Sequence, residues 1–352
     1  MIGWHALSLV AGVALIMAAS AIYLRRVTVP RPPIGRFTSG DVAVMSVMLI
    51  VLPAAYVRLP AVAVTAVFGV VFLGAGQAML APLTGGRIAA ITALGLAAAE
   101  IAAKLAGQDV IMLVVNDVFI AIVIIGVVNL WAQTGMTACQ VAGIAAVLTV
   151  YDLTATWLTS LTQRFLAQVA TAPFAPLLAV TGGRHPAGLG LGDCLVLSLW
   201  PLVLAKAYGR RAAWAGAVLG VLVMVLIELA FIYHWVSEYR IVPVLTILGP
   251  LIIIQYLVMR RWHGKERRTW QWREATVPIH NDTDDVGLLV AKALDVCAST
   301  QAGAAGTCLA VINGEIVASA PTPGAARRAA RLCGSDAVPV IVRSPAAGQR
   351  VR

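Results

Sequence analysis

The sequence predicts an all-α polytopic membrane protein of about nine transmembrane helices, followed by a small cytoplasmic α+β appendage at the C-terminal end. Three observations carry this. Hydrophobic residues fill 60% of the 352 positions and charged residues 12%, whereas a soluble domain carries roughly a quarter charged. The mean hydropathy is +0.88, and the apolar residues gather in blocks of about 20, the length that crosses a ~30 Å hydrocarbon core as a helix. Beyond about residue 275 the blocks give way to short apolar runs separated by turn residues.

The blocks place spans at roughly 6–24, 41–57, 61–82, 87–105, 109–131, 136–162, 189–208, 212–235 and 240–259. Only Arg58-Leu59-Pro60 separates the second from the third. In the first block, MIGWHALSLVAGVALIMAASAIYLRR, Arg25 and Arg26 follow the apolar run. A cleaved signal peptide carries its positive charge before that run, so this block reads as a retained span. The spans divide into an N-terminal bundle, 1–135, and a second group, 136–262. A basic juxtamembrane linker follows at 263–282 and the appendage at 283–352. In the appendage, Asn313-Gly314 between two apolar runs signals a type I′ hairpin. Thr322 as N-cap, Pro323 at N1 and Gly334 past the end mark a short helix. AVPVIV reads as a last strand, giving β-β-α-β with no catalytic constellation and a docking or regulatory role.

The net charge is +10. Most Lys and Arg flank apolar blocks instead of gathering on a soluble face, which argues against a nucleic-acid partner and for membrane topology. With the N-terminus outside, fourteen basic residues fall on the inner side, among them Arg25, Arg26, Arg31, Arg36, Lys206, Arg210, Arg211 and the cluster from Arg260 to Arg273. Five (Arg58, Lys104, Arg164, Arg184 and Arg240) fall outside. The expected location is therefore the cell membrane, multi-pass, with the C-terminal domain cytoplasmic. Trp262, Trp270 and Trp272 beside the basic cluster read as an interfacial collar. Five cysteines, Cys139, Cys194, Cys297, Cys308 and Cys333, show neither disulfide nor metal spacing, so no disulfide framework, metal or cofactor is expected.

Charged groups inside a span are costly and mark function or a specific partner. Five acids qualify: Glu100, Asp117, Asp152, Asp193 and Glu228. Glu100 has Lys104 four residues on, so a local i,i+4 pair accounts for it. Asp117 reads as a structural hydrogen bond between helices, and Glu228 as a packing or polar contact. Asp152 and Asp193 differ because they can be placed at one depth. Asp152 lies seventeen residues beyond Gly135, where span six enters, and Asp193 seventeen before Arg210, where span seven leaves. At ~1.5 Å per residue each sits about 25 Å from the inner boundary, on consecutive antiparallel helices. Two carboxyls that face each other at contact cannot both ionise, so the pair holds an acid and a base together. Hydrolysis by an activated water needs that combination. A proton relay in a transporter also uses buried acids, but such proteins often show duplicated halves, and no internal repeat is present.

The flanking residues narrow the choice. Asp152 follows Tyr151 in VYDLTAT, Asp193 closes GLGLGD, and span nine opens with PVLTILGP. In order and on these spans, the three motifs resemble the GxGD intramembrane aspartyl proteases, the presenilin and signal peptide peptidase family. The likeness covers about residues 136–260. It implies a nine-span presenilin-like fold, a catalytic dyad of Asp152 and Asp193, and no cofactor. It further implies supporting roles for Tyr151, for Gly190, Leu191 and Gly192 of the GxGD motif, and for Pro243, Val244 and Leu245 at the active-site end of span nine. Val244 stands where the family has alanine. The partners implied are the lipid bilayer and a transmembrane peptide substrate. The orientation matches signal peptide peptidases and points to membrane-spanning segments or signal peptide remnants. Prepilin peptidases, also GxGD membrane proteases, keep their acids near the cytoplasmic face.

Residue chemistry agrees with these roles. Glycines expose backbone that a side chain would cover, and unpaired backbone at membrane depth is tolerated only against protein or water. Pro243 lacks an N–H and strains a helix. PLLAVTGG, before the glycines, reads as a strand to which an unwound substrate can pair. Arg184 and His185 read as a solvated loop. GLGLGD is not a dinucleotide fingerprint, since no βαβ unit surrounds it. The oligomeric state is open.

Overall fold

In the computed structural model, the described residues are 2–29, 39–180, 187–235, 242–267, 269, 272, 308–312, 315–320, 323–332 and 340–343. The chain divides into two compact units, Met1–Thr269 and Trp270–Arg352. In the first, helices α1 (Ile2–Arg26), α2 (Ser39–Tyr56), α3 (Ala61–Thr84), α4 (Gly86–Leu105), α5 (Asp109–Gln133) and α6 (Ala138–Asp152) follow in turn. A π-helical stretch, Leu153–Leu158, continues α6, and the short α7 (Leu161–Val169) comes next. A hairpin of β1 (Leu177–Val180) and β2 (Ala187–Gly190) leads into α8 (Leu191–Tyr208), α9 (Arg210–Ile232) and α10 (Val244–His263).

Among the described residues, eight helices are long and apolar enough to cross a membrane. The expected second span is the exception: it forms an apolar helix, Gly40–Tyr56, but a shorter one. The expected sixth span also ends early. Helix geometry stops at Leu158, and Thr159 is extended (φ −132°, ψ 164°), so 136–162 is not one continuous rod. Span seven starts at Leu191 because Leu189 and Gly190 belong to a strand. Pro243 does not strain span nine. It is the N-cap of α10, outside the helix, where its missing N–H breaks no helical bond.

Side chains tie one set of helix ends together. The carboxylate of Glu266 accepts from the Ala138 N–H at 2.8 Å and the Cys139 N–H at 3.0 Å. This satisfies orphan donors of α6 beside a Thr137–Gln140 capping box. Lys206, counted above among the basic residues of the inner side, lies within α8 and is buried. Its ammonium donates to the Ala132 and Met136 carbonyl oxygens, capping the C-terminal end of α5 and pinning α8 to the start of α6. At the far end, Phe174 stacks edge-on against Phe72 and Phe119, each with ring centroids 6.3 Å away. Gly69 makes room for it: a Cβ there would stand 3.1 Å from the Phe174 ring. Trp262 is three-quarters exposed at the end of α10, while Trp272 is buried. Trp270, Arg184 and His185 lie outside the described residues.

In the second unit, β3 (Cys308–Ile312), β4 (Glu315–Ala320), α11 (Pro323–Leu332) and β5 (Val340–Arg343) follow the expected β-β-α-β order. The sheet order is β4-β3-β5 with both pairings antiparallel. Ala326 and Ala330, one turn apart on α11, pack with Cys308 and Ala310 of β3 into a small core. The expected turn at Asn313-Gly314 and the helix-end residues Thr322 and Gly334 lie outside the described residues.

Candidate active site

The level of the two acids follows from the pinned ends. Lys206 holds the C-terminal end of α8 beside Met136, two residues before α6 begins. Asp152 is fourteen residues up α6 and Asp193 fifteen residues up α8 from Tyr208, or ~21 and ~22 Å of rise. The helices are antiparallel, and the carboxyl of Asp193 feels the charge of Asp152. Both residues are partly buried.

Each carboxyl lies against the N-terminal end of a helix, its own α8 for Asp193 and the neighbouring α10 for Asp152, where unpaired N–H groups concentrate positive potential. Asp193 is the third residue of α8, after the N-cap Gly190. Asp152 reaches the first turn of α10, whose N-cap, Pro243, supplies no capping side chain. The free Leu245 N–H hydrogen-bonds the Asp152 carboxyl in its place. The Leu245 carbonyl accepts from the Thr149 hydroxyl at 3.1 Å, one turn before Asp152. Val244 and Leu245 are buried, so the added bulk of valine is absorbed by packing. Tyr151 adjoins the pair, within reach of the Asp152 charge.

The glycines before Asp193 have separable reasons. A Cβ on Gly190 would stand 3.3 Å from Oδ2 of Asp193, and one on Gly188 would stand 3.0 Å from the Leu177 side chain. At Gly192 a Cβ would meet nothing within 4 Å. Leu191 is partly buried, and its N–H donates to the Pro176 carbonyl at 2.9 Å, fixing the hairpin at the start of α8.

Within PLLAVTGG, Leu177–Val180 form a strand as expected, but its free edge is taken. The Asn116 amide donates to the Leu177 carbonyl at 3.1 Å and to that of Ala175 at 3.2 Å. The Asp117 carboxylate accepts from the Ala179 N–H at 2.8 Å. Leu177 and Ala179 therefore point their backbone groups at α5. In the antiparallel register they oppose Gly190 and Gly188. Backbone groups alternate sides along a strand, so the glycine groups point away from β1. The open edge of the hairpin belongs to β2, beside Asp193.

Two acids thus have structural work. Asp117 makes the expected hydrogen bond, though to a strand and not to a helix. The pairing of Glu100 with Lys104 is overturned: Lys104 pairs with Asp109 at 3.0 Å. Glu100 is fully buried and accepts from the N–H of Phe174. Phe174 has a φ of +59°, and a non-glycine residue in that region needs such support. Asp117→Asn keeps an acceptor for the Ala179 N–H and is expected to retain stability and activity. Asp117→Ala orphans that N–H and is expected to lose about 1–3 kcal/mol, measurable by denaturation in detergent.

Asn116, Thr149, Phe174 and Lys206 escaped sequence reasoning, since each works through a partner at least 59 positions away. Among the described residues no group of three or more His, Cys, Asp or Glu gathers as metal ligands would. No family model, curated protein or solved structure matches the chain.

Proposed function

We propose that the chain is a membrane-embedded aspartyl protease, resembling the presenilin and signal peptide peptidase family, which cuts peptide bonds within the bilayer. The observation that carries this reading is the meeting of Asp152 and Asp193 at one depth, beside the open edge of β2. A substrate segment unwound from its own helix pairs with the Gly188–Gly190 edge, which brings a scissile carbonyl to the acids. One carboxylate takes a proton from water as the water oxygen bonds to the carbonyl carbon. The protonated partner hydrogen-bonds the carbonyl oxygen. The tetrahedral intermediate then breaks its C–N bond, the nitrogen leaving with a proton from the dyad. The two helix N-termini stabilise the one negative charge that the carboxylate passes to the carbonyl oxygen and regains when the C–N bond breaks.

Incubating the full chain in proteoliposomes with a membrane-spanning reporter, in water enriched in heavy oxygen, tests the proposal. Two product masses are expected, the new carboxyl group carrying one heavy oxygen. Absence of products across a range of reporters would sink it. The distribution of basic residues supports an outside N-terminus, and with it substrates whose own N-termini face the cytoplasm. A C-terminal reporter fusion active on the outer side would reverse that orientation.

The glycines give a finer test. Gly192→Ala puts a methyl into space that is open in the free protein, so folding stability is expected to be unchanged or slightly raised. KM is expected to rise, because the substrate occupies that space. Gly190→Ala presses on the Asp193 carboxyl, so kcat is expected to fall about tenfold with little change in melting temperature. Equal behaviour of the two variants would contradict this assignment.

A further inference from the structure

Away from the acid pair, α1, α8 and α9 enclose an apolar cavity of about 450 Å³. Small side chains leave the space, Ala18 from α1 and Ala217 from α9 among them. Trp214 and Leu222 of its wall are 62% and 51% exposed, so it opens onto the surface of the bundle. The wall on α9 reaches from Arg210 fifteen positions along the helix, about 22 Å at ~1.5 Å per residue. One hydrocarbon leaflet is ~15 Å deep, so the groove is long enough to cross the leaflet.

Its one charged end distinguishes it from a plain packing defect. Arg25 stands in the last turn of α1 and Arg210 begins α9. Both line the cavity, both are exposed, and the helices run antiparallel, so the two guanidiniums share one end. Among the described residues the one ion pair is that of Lys104 with Asp109, which leaves these two cations without a carboxylate. Trp214, one turn from Arg210, sits at the depth where indoles favour the membrane interface.

We propose that this groove binds an anionic phospholipid, with an acyl chain along the alanine floor and the phosphate held by Arg25 and Arg210. The reasons are the apolar length, the interfacial tryptophan and positive charge at one end alone, unpaired among the described residues. Guanidinium pairs bind phosphate strongly, and basic pockets between transmembrane helices take anionic head groups. A zwitterionic lipid brings its own cation, which the two arginines repel. A peptide finds no free backbone edge here, since the walls are helices.

Native mass spectrometry of the full chain in detergent, titrated with phosphatidylglycerol or phosphatidylcholine, tests this. Wild type is expected to retain one phosphatidylglycerol at least tenfold more tightly than phosphatidylcholine. Arg25→Gln with Arg210→Gln is expected to remove that preference, and Ala217→Phe to remove binding of either lipid at this site. Inorganic phosphate at millimolar concentration is expected not to displace the lipid. The proposal is overturned by equal retention of the two lipids, by retention unchanged in the arginine variant, or by displacement with phosphate alone. A dimer of the chain that Ala217→Phe dissociates would also overturn it, by assigning the groove to a second copy. Because these exposed arginines are remote from the acids, the arginine variant should still cleave a reporter in phosphatidylcholine as wild type does. Failure of the lipid proposal therefore leaves the protease reading standing.

Discussion

Asp152→Ala and Asp193→Ala are each expected to reduce reporter cleavage by at least about 10²-fold, and as much as ~10⁴-fold, the range that one positioned acid or base supplies. The fold should persist, because both acids are only partly buried and alanine is a strong helix former that leaves no unpaired charge behind. The double variant is expected to be no slower than the worse single one, since members of a catalytic unit are not additive. Wild-type cleavage is expected to follow a bell-shaped pH profile that belongs to the pair as a whole. The asparagine variants sharpen the test. They keep shape and hydrogen bonding but remove the titrating group, so they should be as inactive as the alanine variants while melting near wild type. Full cleavage by either alanine variant removes the dyad from the mechanism. Cleavage lost together with a proton flux in wild-type vesicles would move the acids to a relay.

How much of this was legible in the sequence depended on whether the cause was local. The shared level of Asp152 and Asp193 could be read because helical rise is constant and both helices have recognisable ends. The strand in PLLAVTGG could be read from its composition. What failed had its cause far along the chain. Glu100 and Lys104 have the spacing of a helical pair, yet Lys104 reaches Asp109 and Glu100 supports the backbone of Phe174. Lys206 has the look of a loop cation near an arginine pair, but its stem is buried and its head caps another helix. The strand's edge was misassigned for the same reason: Asn116 and Asp117 sit 59 to 62 positions before the groups they bind. Pro243 was read as straining a helix because proline suits both a helix start and a kink, and only the backbone path decides.

Gly249→Ala is expected to damage activity nearly as much as losing an acid, although Gly249 touches no substrate. It is where α10 crosses α6. A Cβ there would stand 2.9 Å from the Ala145 carbonyl oxygen and overlap the Thr149 hydroxyl. That hydroxyl is itself committed, donating to the Ala145 carbonyl at 2.7 Å and the Leu245 carbonyl at 3.1 Å. Close small-residue crossings of this kind hold membrane helices together. The Ala145 oxygen is backbone and cannot rotate aside, so α10 has to back away from α6. Overpacking of this sort costs about 1–3 kcal/mol. The larger consequence falls on Leu245, four residues before Gly249, whose N–H holds the Asp152 carboxyl. A displacement near 1 Å at a catalytic group can cost about 10²-fold in rate. The expected result is a lowered melting temperature together with a fall in kcat of that order. Adding Thr149→Ala should recover only part of the loss, since it removes the hydroxyl overlap and leaves the Ala145 oxygen in place. A Gly249→Ala protein that melts and cleaves like wild type would show that the α6–α10 crossing does not position Asp152.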